Sequence, residues 1–394
     1  MGFLVKFLVG SAVLMVLLAY YLYIPLPPNY TENRVKIQVA LAGNKVVKAL
    51  ANIGSLLGYG SPMELRKVML ESLVDRKVKS TPRDESVTIQ QLSFDGVYVR
   101  VYTPPTAKMN GPAIVYYHGG GYVLFRIDHF DEACTKMAKM SNTVVVSVDY
   151  RTAPAFTYPT GINDGYKATK YFLEHAADFN VDPTRVAIAG DSAGGHMAAS
   201  LSLRLRDEKF EPMPKLQVLI YPHLQTIDYL TPSYQENDLA IDSDDMIQFF
   251  MALVNGTQDS RDLLAKGLHI SSETREKFQK YVDHDLIPEK YLSKNYKKPS
   301  YPKNHVTFSE KIEKVTTSSY NSPLLADSLE GIPAVYIMTC QHDCLRDDGL
   351  LYVERLKKEG VEYHHVHYDE GFHGVFSLVD RYLRETMEFV RDNL

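Results

Sequence analysis

The 394-residue sequence has no tryptophan, only three cysteines and no surplus of positive charge. Its 43 Lys and Arg residues are outnumbered by 48 Asp and Glu residues, giving a formal net charge of −5. Without a basic surplus the chain offers no extended positive surface to phosphate backbones, so a nucleic-acid partner is not expected. The hydrophobic fraction of 45% is enough for a large buried core.

Three cysteines are too few for a disulfide scaffold, and an odd number leaves at least one thiol free or intermolecular. Cys340 and Cys344 lie close together near a predicted strand end, where a mutual bridge is awkward, and Cys134 is the alternative partner. Their spacing matches no zinc pattern. The simplest interpretation is three buried thiols that behave as small hydrophobic side chains.

The amino terminus carries a nearly uninterrupted apolar run, FLVGSAVLMVLLAYYLYI, from Phe7 to Ile24. Roughly 18 to 20 such residues span a hydrocarbon core as a helix. Tyrosines cluster at its far end, as at a membrane interface, and the prolines of PLPP end the helix. The alternative is a cleaved secretory signal, but no small-x-small site follows. The run predicts a signal-anchor transmembrane helix over residues 1–25, with the lipid bilayer as a partner.

The topology of this anchor is less strongly encoded. Lys6 on one side is nearly balanced by Arg34 and Lys36 on the other. Two sequons, NYT at Asn29 and NGT at Asn255, are glycosylation candidates and suit a lumenal body. We therefore expect a cytosolic amino terminus and a lumenal main domain, with Asn29 too near the bilayer to be modified.

The remainder of the chain divides by its hydrophobic pattern. Residues 26–85 are predicted to form a helical cap segment, with apolar helical stripes from Lys36 to about Lys79. Residues 86–394 begin with a hairpin through Asp95-Gly96 and continue with short apolar runs between helical stretches. This pattern predicts an α/β domain with a mainly parallel sheet covered by helices on both faces. The polar segment over about 226–317 interrupts it and is predicted to be a cap insertion.

One pentapeptide, Gly190-Asp191-Ser192-Ala193-Gly194, fits the pattern G-x-S-x-G between an apolar strand and a helical run. Small neighbours allow a turn so tight that the Ser192 hydroxyl is pushed into the cleft. The sequence therefore predicts Ser192 as a nucleophile. The amide of Ala193, at the helix N-terminus, is predicted to face a developing negative charge.

A serine nucleophile needs a base and an orienting acid, expected in the chain order Ser, acid, His. Asp343 follows the apolar strand AVYIMT, and His373 lies in a glycine-flanked loop after the next strand. Asp347 and Asp348 compete for the acid role, but they fall where carboxylates commonly sit at a helix N-terminus. The predicted catalytic set is Ser192, Asp343 and His373.

The glycine run in YYHGGGY follows an earlier apolar strand. Glycine amides approach a substrate closely because no Cβ stands in the way. Gly119 and Gly120 are therefore predicted to complete an oxyanion hole with Ala193, while His118 braces the loop by hydrogen bonds.

A metal site is the alternative use of His364, His365 and His367, of which the last two share a strand face. No nearby carboxylate or H-x-x-x-H set completes a ligand sphere, so neither a metal nor another cofactor is predicted.

The motifs HGGG, YRTAPAFTYP, GDSAGG, SPLLAD, DCLRDDG and EGFHG, in this order, resemble the hormone-sensitive-lipase family of α/β-hydrolases. YIPLPP, PSYQEN and the closing RDNL are similar to its arylacetamide deacetylase and neutral cholesterol ester hydrolase branch. The resemblance implies an α/β-hydrolase fold with a helical cap, an amino-terminal membrane anchor, and a type II endoplasmic-reticulum location with a lumenal catalytic body. It assigns the same triad and oxyanion motif.

Three positions depart from the family pattern. Val123 stands where close relatives tend to carry a cysteine, so the family's disulfide partner for Cys340 is missing. His196 replaces the usual asparagine after GDSAGG, and Cys344 stands where proline or an aliphatic residue is frequent. The expected protein is a membrane-anchored serine carboxylesterase or deacetylase for lipophilic esters and arylacetamides. The alternatives are a neutral lipid-ester hydrolase for cholesteryl esters or ether-lipid acetates, and a catalytically silent binding protein.

Overall fold

The computed structural model describes residues 7, 11, 15, 17–30, 32–81, 84–294, 296–307 and 309–394. It contains two compact units, Met1–Ser72 and Leu73–Leu394. Much of the predicted anchor from Phe7 to Ile24 lies outside the described residues. Within the part that is described, no helix has both the length and the apolar character needed to cross a membrane.

The first unit contains helix α1 (Arg34–Leu56) and most of helix α2 (Pro62–Ser80). Both fall inside the stretch for which the sequence predicted helical stripes. In α1 the buried positions include Ile37 and Leu41, one helical turn apart, as expected of a helix that buries one face.

The second unit is built on one sheet. In the described part of the chain its eight strands are β1 (Thr88–Phe94), β2 (Val97–Thr103), β3 (Gly111–Tyr117), β4 (Val144–Val148), β5 (Val181–Asp191), β6 (Leu216–Ile220), β7 (Ala334–His342) and β8 (Tyr363–Phe372). Their order across the sheet is β1-β2-β4-β3-β5-β6-β7-β8. The pairs β1–β2 and β2–β4 are antiparallel, and the later pairs are parallel. The mainly parallel sheet predicted from the sequence is confirmed.

The opening hairpin follows from its turn residues. Asp95 and Gly96 both have positive φ angles, 47° and 82°, which the type I′ turn between two strands requires. The strands that follow are apolar because both faces are covered. All five residues of β4 and of β6 are buried, which explains why VVVSV and LQVLI show no polar alternation.

Helices pack on this sheet and on one another. They are α3 (Asp131–Ser141), α4 (Thr160–Glu174), α5 (Ala193–Asp207), α11 (Arg346–Glu359), α12 (Val375–Leu378) and α13 (Asp380–Asn393). Helix α5 packs on β5 and β6, α11 packs on β7, and α3 packs on α13. The nucleophile helix α5 therefore lies against the middle of the sheet.

The segment between β6 and β7 contains helices α6 (Pro232–Glu236), α7 (Ser243–Val254), α8 (Gln258–Ala265), α9 (Ser272–Val282) and α10 (Glu310–Thr316). Side-chain caps determine where two of these helices begin. The Asp242 carboxylate accepts the Asp245 N–H at 2.8 Å at the start of α7, and Thr257 and Ser260 form the same reciprocal cap on α8. The extent of a separate cap domain over 226–317 stays a prediction.

The three cysteines are free and buried. Burial raises the pKa of each thiol, so none is a thiolate at neutral pH. Of the interpretations open from the sequence, the buried small side chain is confirmed, and the bridges between Cys340 and Cys344 or Cys134 are not formed.

Close backbone approach makes one glycine essential to the fold. A Cβ placed on Gly194 would lie 1.9 Å from the Tyr117 carbonyl oxygen, which is backbone and does not move aside. We expect Gly194→Ala to lower the free energy of unfolding by about 3 kcal/mol or more, measured by chemical denaturation.

Gly43 is the matched control for this substitution. It lies in α1, and a Cβ there meets nothing within 4 Å. Gly43→Ala should be neutral or stabilise by up to about 1 kcal/mol, since alanine favours a helix. Equal losses from the two substitutions would contradict the packing argument.

Candidate active site

Ser192 lies on the sharp turn between β5 and α5. Its φ of 55° and ψ of −117° are unfavourable for a residue with a side chain, and such strain is typical of a nucleophile turn. The Ser192 N–H donates to the Ile220 carbonyl at 2.9 Å, which ties the turn to the neighbouring strand β6. The flanking glycines permit the turn, because a Cβ on Gly190 would lie 2.2 Å from the Gly194 carbonyl carbon.

The structure brings the predicted triad together. His373 Nε2 lies 2.9 Å from Ser192 Oγ, and His373 Nδ1 lies 2.8 Å from Asp343 Oδ2. Asp343 follows β7 and is fully buried, and its other oxygen accepts the Leu345 N–H at 2.8 Å. The carboxylate is thus fixed in place, and the imidazole is held between acid and hydroxyl in the order that proton transfer requires.

The competing carboxylates are used elsewhere. Asp347 accepts the Ser233 N–H at 2.6 Å, and Asp348 accepts the Leu224 N–H at 2.9 Å. Burial raises the pKa of Asp348 to about 8. Both residues lie in the first turn of α11, as the sequence predicted, but the backbone donors they accept from belong to Ser233 and Leu224 and not to α11 itself.

In the glycine loop, the structure differs from the sequence prediction at one oxyanion donor. The Gly119 N–H donates to Asp191 Oδ1 at 2.9 Å and so does not point to a substrate. The prediction that Gly119 supplies an oxyanion amide is therefore wrong. Among the described residues, none accepts a hydrogen bond from the amides of Gly120, Gly121 or Ala193. These three N–H groups, with Gly121 in place of Gly119, are the available oxyanion donors.

His118 lies under this loop. Its ring stacks on Tyr150 with centroids 4.5 Å apart, and its Nδ1 lies 2.7 Å from the Gly119 carbonyl oxygen. The Tyr150 hydroxyl donates to the His118 carbonyl at 2.6 Å. His118 is buried, and this geometry suits the predicted brace rather than a proton carrier.

A cavity of about 20 Å³ adjoins Ser192, enough for about one water-sized group. Gly121 and Ala193, which carry two of the available amides, form part of its wall. The other wall residues are Tyr122, His196, His223, Met246, Phe249, Phe250, Leu253 and Asn321. Helix α7 contributes the apolar side of this wall, which places the segment between β6 and β7 directly over the nucleophile.

A family model described as the α/β hydrolase fold matches residues 114–282 and 293–377, which is more than half of the chain. The chain belongs to this family. The resemblance predicted from the motifs is therefore confirmed, and the sheet and flanking helices are those of an α/β hydrolase.

Relatives with assigned names are similar over nearly the whole hydrolase. Neutral cholesterol ester hydrolase 1 of Rattus norvegicus is 34% identical over 377 residues, covering 92% of this chain and 91% of the relative. Arylacetamide deacetylase of Mus musculus is 36% identical over 385 residues, covering 95% and 94%.

Solved structures agree with this assignment. A thermostable carboxylesterase cloned from a metagenomic library is 29% identical with a TM-score of 0.63, covering 85% of this hydrolase and 98% of that chain. A hyperthermophilic esterase from Pyrobaculum calidifontis is 27% identical with a TM-score of 0.61, covering 87% and 97%. By family the chain is a carboxylic ester hydrolase, as the sequence predicted.

The three histidines of β8 divide between the two faces of the sheet. Thr339 Oγ1 lies 2.8 Å from both His365 Nε2 and His367 Nδ1, so these two rings share a neighbour on one sheet face. His364 stacks with Phe389 at 4.6 Å on the other side. Within the described ranges of the hydrolase, no group of three His, Cys, Asp or Glu side chains could hold a metal ion.

The two sequons lie at exposed positions. Asn255 is exposed and ends α7 in a left-handed conformation. Asn29 is exposed as well, but Thr31, the third residue of its sequon, lies outside the described residues. Glycosylation of either residue stays a prediction.

The sequence interpretation missed a carboxylate next to the nucleophile. Asp191 is buried, and its Oδ1 accepts from the Tyr116 hydroxyl at 2.5 Å as well as from the Gly119 amide. Burial raises its pKa. The sequence signal for Asp191 was its position inside G-x-S-x-G. The sequence did not indicate that its carboxylate would accept hydrogen bonds from Tyr116 and Gly119.

Replacing Asp191 tests whether it positions the oxyanion loop. Asp191→Ala leaves the Gly119 amide without its acceptor, so the Gly120 and Gly121 amides lose their alignment. We expect kcat for an aryl ester to fall by about 10- to 100-fold with a smaller change in KM. Asp191→Asn retains an acceptor oxygen and should lose less. A folded Asp191→Ala variant with the wild-type kcat would show that the loop is positioned without this carboxylate.

Proposed function

We propose that this hydrolase is a membrane-anchored serine carboxylesterase and deacetylase for lipophilic esters and arylacetamides. The observation that carries the proposal is the continuous link from Ser192 Oγ to His373 Nε2 at 2.9 Å and from His373 Nδ1 to Asp343 at 2.8 Å. A serine at this end of such a chain loses its proton to the imidazole as it attacks a carbonyl carbon.

In the first step Ser192 Oγ bonds to the substrate carbonyl carbon, and its proton passes to His373 Nε2. The carbonyl oxygen becomes an oxyanion that the amides of Gly120, Gly121 and Ala193 stabilise. Removing one such donor typically costs about 3 kcal/mol of barrier. Asp343 stabilises the imidazolium cation formed on His373.

In the second step the tetrahedral intermediate collapses to an acyl-enzyme. His373 Nε2–H gives its proton to the leaving alcohol or amine as the bond to carbon breaks. A water molecule then attacks the ester of Ser192, with His373 taking the water proton. The same oxyanion amides serve both halves, and Ser192 regains its hydroxyl when the acid departs.

The wall of the cavity supports a lipophilic substrate. Phe249, Phe250 and Leu253 present apolar surface beside Ser192. Both named relatives carry names that refer to esters or amides of lipophilic compounds, a cholesterol ester in one and an arylacetamide in the other. The small volume of about 20 Å³ favours the short acyl group of a deacetylase substrate.

The anchoring part of the proposal rests on the apolar run from Phe7 to Ile24, and its orientation rests on the sequons at Asn29 and Asn255. We place the hydrolase in the endoplasmic-reticulum membrane as a single-pass type II protein with a lumenal catalytic domain. The full chain expressed in eukaryotic cells should stay in the membrane fraction after carbonate extraction, and its mass should fall on deglycosylation. Release by carbonate would contradict the anchor.

The activity itself is tested with the full chain in detergent micelles. p-Nitrophenyl esters from acetate to decanoate and the arylacetamide acetanilide are offered as substrates. We expect hydrolysis of both classes, with kcat/KM highest for the short acyl chains. An optimum at long chains would favour the neutral lipid-ester hydrolase. No turnover by folded protein, judged by circular dichroism, would favour the binding protein.

A further inference from the structure

Two imidazoles lie in the wall of the cavity, that of His196 buried and that of His223 half-buried, and the mechanism uses neither. His196 is on α5, one turn after the nucleophile, and His223 follows β6. The His223 N–H approaches the Ser192 carbonyl at 3.4 Å, so its backbone is fixed to the nucleophile turn. Both rings therefore lie next to any acyl group that enters the cavity.

The hydrogen bonds of His196 are complete. Its Nε2–H donates to the Asn321 carbonyl at 2.9 Å, and its Nδ1 accepts from the Tyr122 hydroxyl at 2.5 Å. Burial lowers its pKa to about 4, so it is neutral at pH 7. Both ring nitrogens of His196 are therefore paired within the protein, and neither is available to a substrate.

His223 differs from His196 in the hydrogen bonding of one ring nitrogen. The His223 ring is hydrogen-bonded to the Gln225 backbone. This bond raises the pKa of the ring, which is the effect of a ring N–H that donates to a carbonyl oxygen. No described residue bonds to Nε2, which is buried. Burial is the main cause that lowers the pKa of His223 to about 3, and the neighbouring His196 is the second. At neutral pH the ring is uncharged. Because Nε2 has no partner among the described residues, we assign the ring proton to Nδ1, on the side of the Gln225 backbone, and a lone pair to Nε2.

The cavity receives the acyl side of a substrate. Its wall includes Ser192 and the amide-bearing residues Gly121 and Ala193, whereas His373 is not part of the described wall. The leaving group must lie within reach of His373 Nε2 to be protonated. The group on the other side of the carbonyl carbon, the acyl group, therefore points into the cavity.

We propose that His223 is a specificity-determining acceptor that favours a short acyl group carrying a hydrogen-bond donor next to the carbonyl, such as a glycolyl group. An unpaired buried acceptor destabilises the empty site, and a substrate hydroxyl that pairs with it removes that cost. The small cavity of about 20 Å³ favours a short acyl group, and an uncharged ring gives no attraction to an anionic acyl group. This inference rests on the proposed esterase function.

The test compares three phenyl esters of similar acyl size: glycolate with a hydroxyl donor, fluoroacetate with an electron-withdrawing group but no donor, and propionate with neither. Each kcat/KM is divided by the hydroxide-catalysed rate constant of the same ester, which removes differences in intrinsic reactivity. For the wild-type hydrolase we expect glycolate to exceed both others by about tenfold or more.

Variants locate the effect. In His223→Leu the preference for glycolate should fall to near unity, and His223→Gln, which offers a carbonyl oxygen, should retain part of it. Ser202→Ala is the matched control on α5, since that hydroxyl donates to the Ala198 carbonyl at 2.9 Å away from the cavity. It should keep the wild-type preference.

The outcomes separate the two claims. Hydrolysis of all three esters without a glycolate preference overturns the role of His223 and leaves the esterase function standing. A preference that survives in His223→Leu also overturns it. No hydrolysis of any ester by folded wild-type protein overturns the esterase function and this inference together. If His223→Leu does not fold, His223→Gln supplies the variant comparison, and a wild-type hydrolase without a glycolate preference still overturns the role of His223.

Discussion

Ser192→Ala is expected to lower kcat for p-nitrophenyl acetate by a factor on the order of 10⁶, to the background of the oxyanion amides and binding alone. The substitution removes the hydroxyl oxygen to which His373 Nε2 is hydrogen-bonded at 2.9 Å and leaves the turn itself intact. Alanine adds no atoms, and the Ser192 backbone contacts to Ile220 stay available. The rate of p-nitrophenol release by the purified full chain measures the effect.

Ser202→Ala is again the control for this result, because Ser202 lies buried on the same helix and its hydroxyl serves only the Ala198 carbonyl in the described structure. It should retain the wild-type kcat. If Ser192→Ala kept more than a few per cent of activity while Ser202→Ala lost it, the nucleophile would be assigned to the wrong serine.

Asp343→Asn is expected to lower kcat by about 10⁴-fold. Asp343 Oδ2 accepts from His373 Nδ1 at 2.8 Å, which leaves Nε2 with the lone pair that takes the Ser192 proton. An asparagine amide donates to Nδ1 instead, so the proton moves to Nε2 and the base faces the serine in the wrong tautomer. The negative charge that stabilises the imidazolium is lost as well. Pre-steady-state release of p-nitrophenol measures the acylation rate directly.

Asp369→Asn provides the matched control, since Asp369 lies on β8 with its side chain 84% exposed. It should leave kcat unchanged. A loss of less than tenfold in Asp343→Asn would mean that another carboxylate orients His373, and Asp347 or Asp348 would become the candidates.

The strands and the triad order were readable from the sequence because they depend on local pattern. A run such as VVVSV, without polar alternation, is expected where both sheet faces are covered, and β4 is buried throughout. Ser192, Asp343 and His373 each follow a strand of the parallel part of the sheet, and parallel strands bring their carboxyl ends to one edge. Local pattern therefore predicted which residues would meet.

The identity of the oxyanion donors was not readable in the same way. HGGG offers three consecutive amides, and nothing local distinguishes them. The choice is made by Asp191, far along the chain, whose carboxylate takes the Gly119 N–H and leaves the amides of Gly120 and Gly121 available. A side chain that selects one backbone amide across the sheet is a tertiary contact.

The shape of the acyl cavity was also beyond the sequence. Its apolar wall comes from α7. In the sequence, Phe249 and Phe250 indicate only that a helical segment has apolar residues, not that these residues face the nucleophile. His223 gave no signal, because its importance lies in an unpaired Nε2 that depends on how the loop after β6 packs. Pattern predicts helices and strands, whereas packing between them decides the pocket.

The central claim is that Ser192 is an activated nucleophile. The most direct measurement is labelling of the full chain with a fluorophosphonate, followed by mass spectrometry of the peptides. Such a probe phosphonylates a serine only when an adjacent base has raised its nucleophilicity. We predict a single, stoichiometric adduct on Ser192 that is abolished in Ser192→Ala. A folded protein that takes up no label, or takes it up at another serine, would contradict the account.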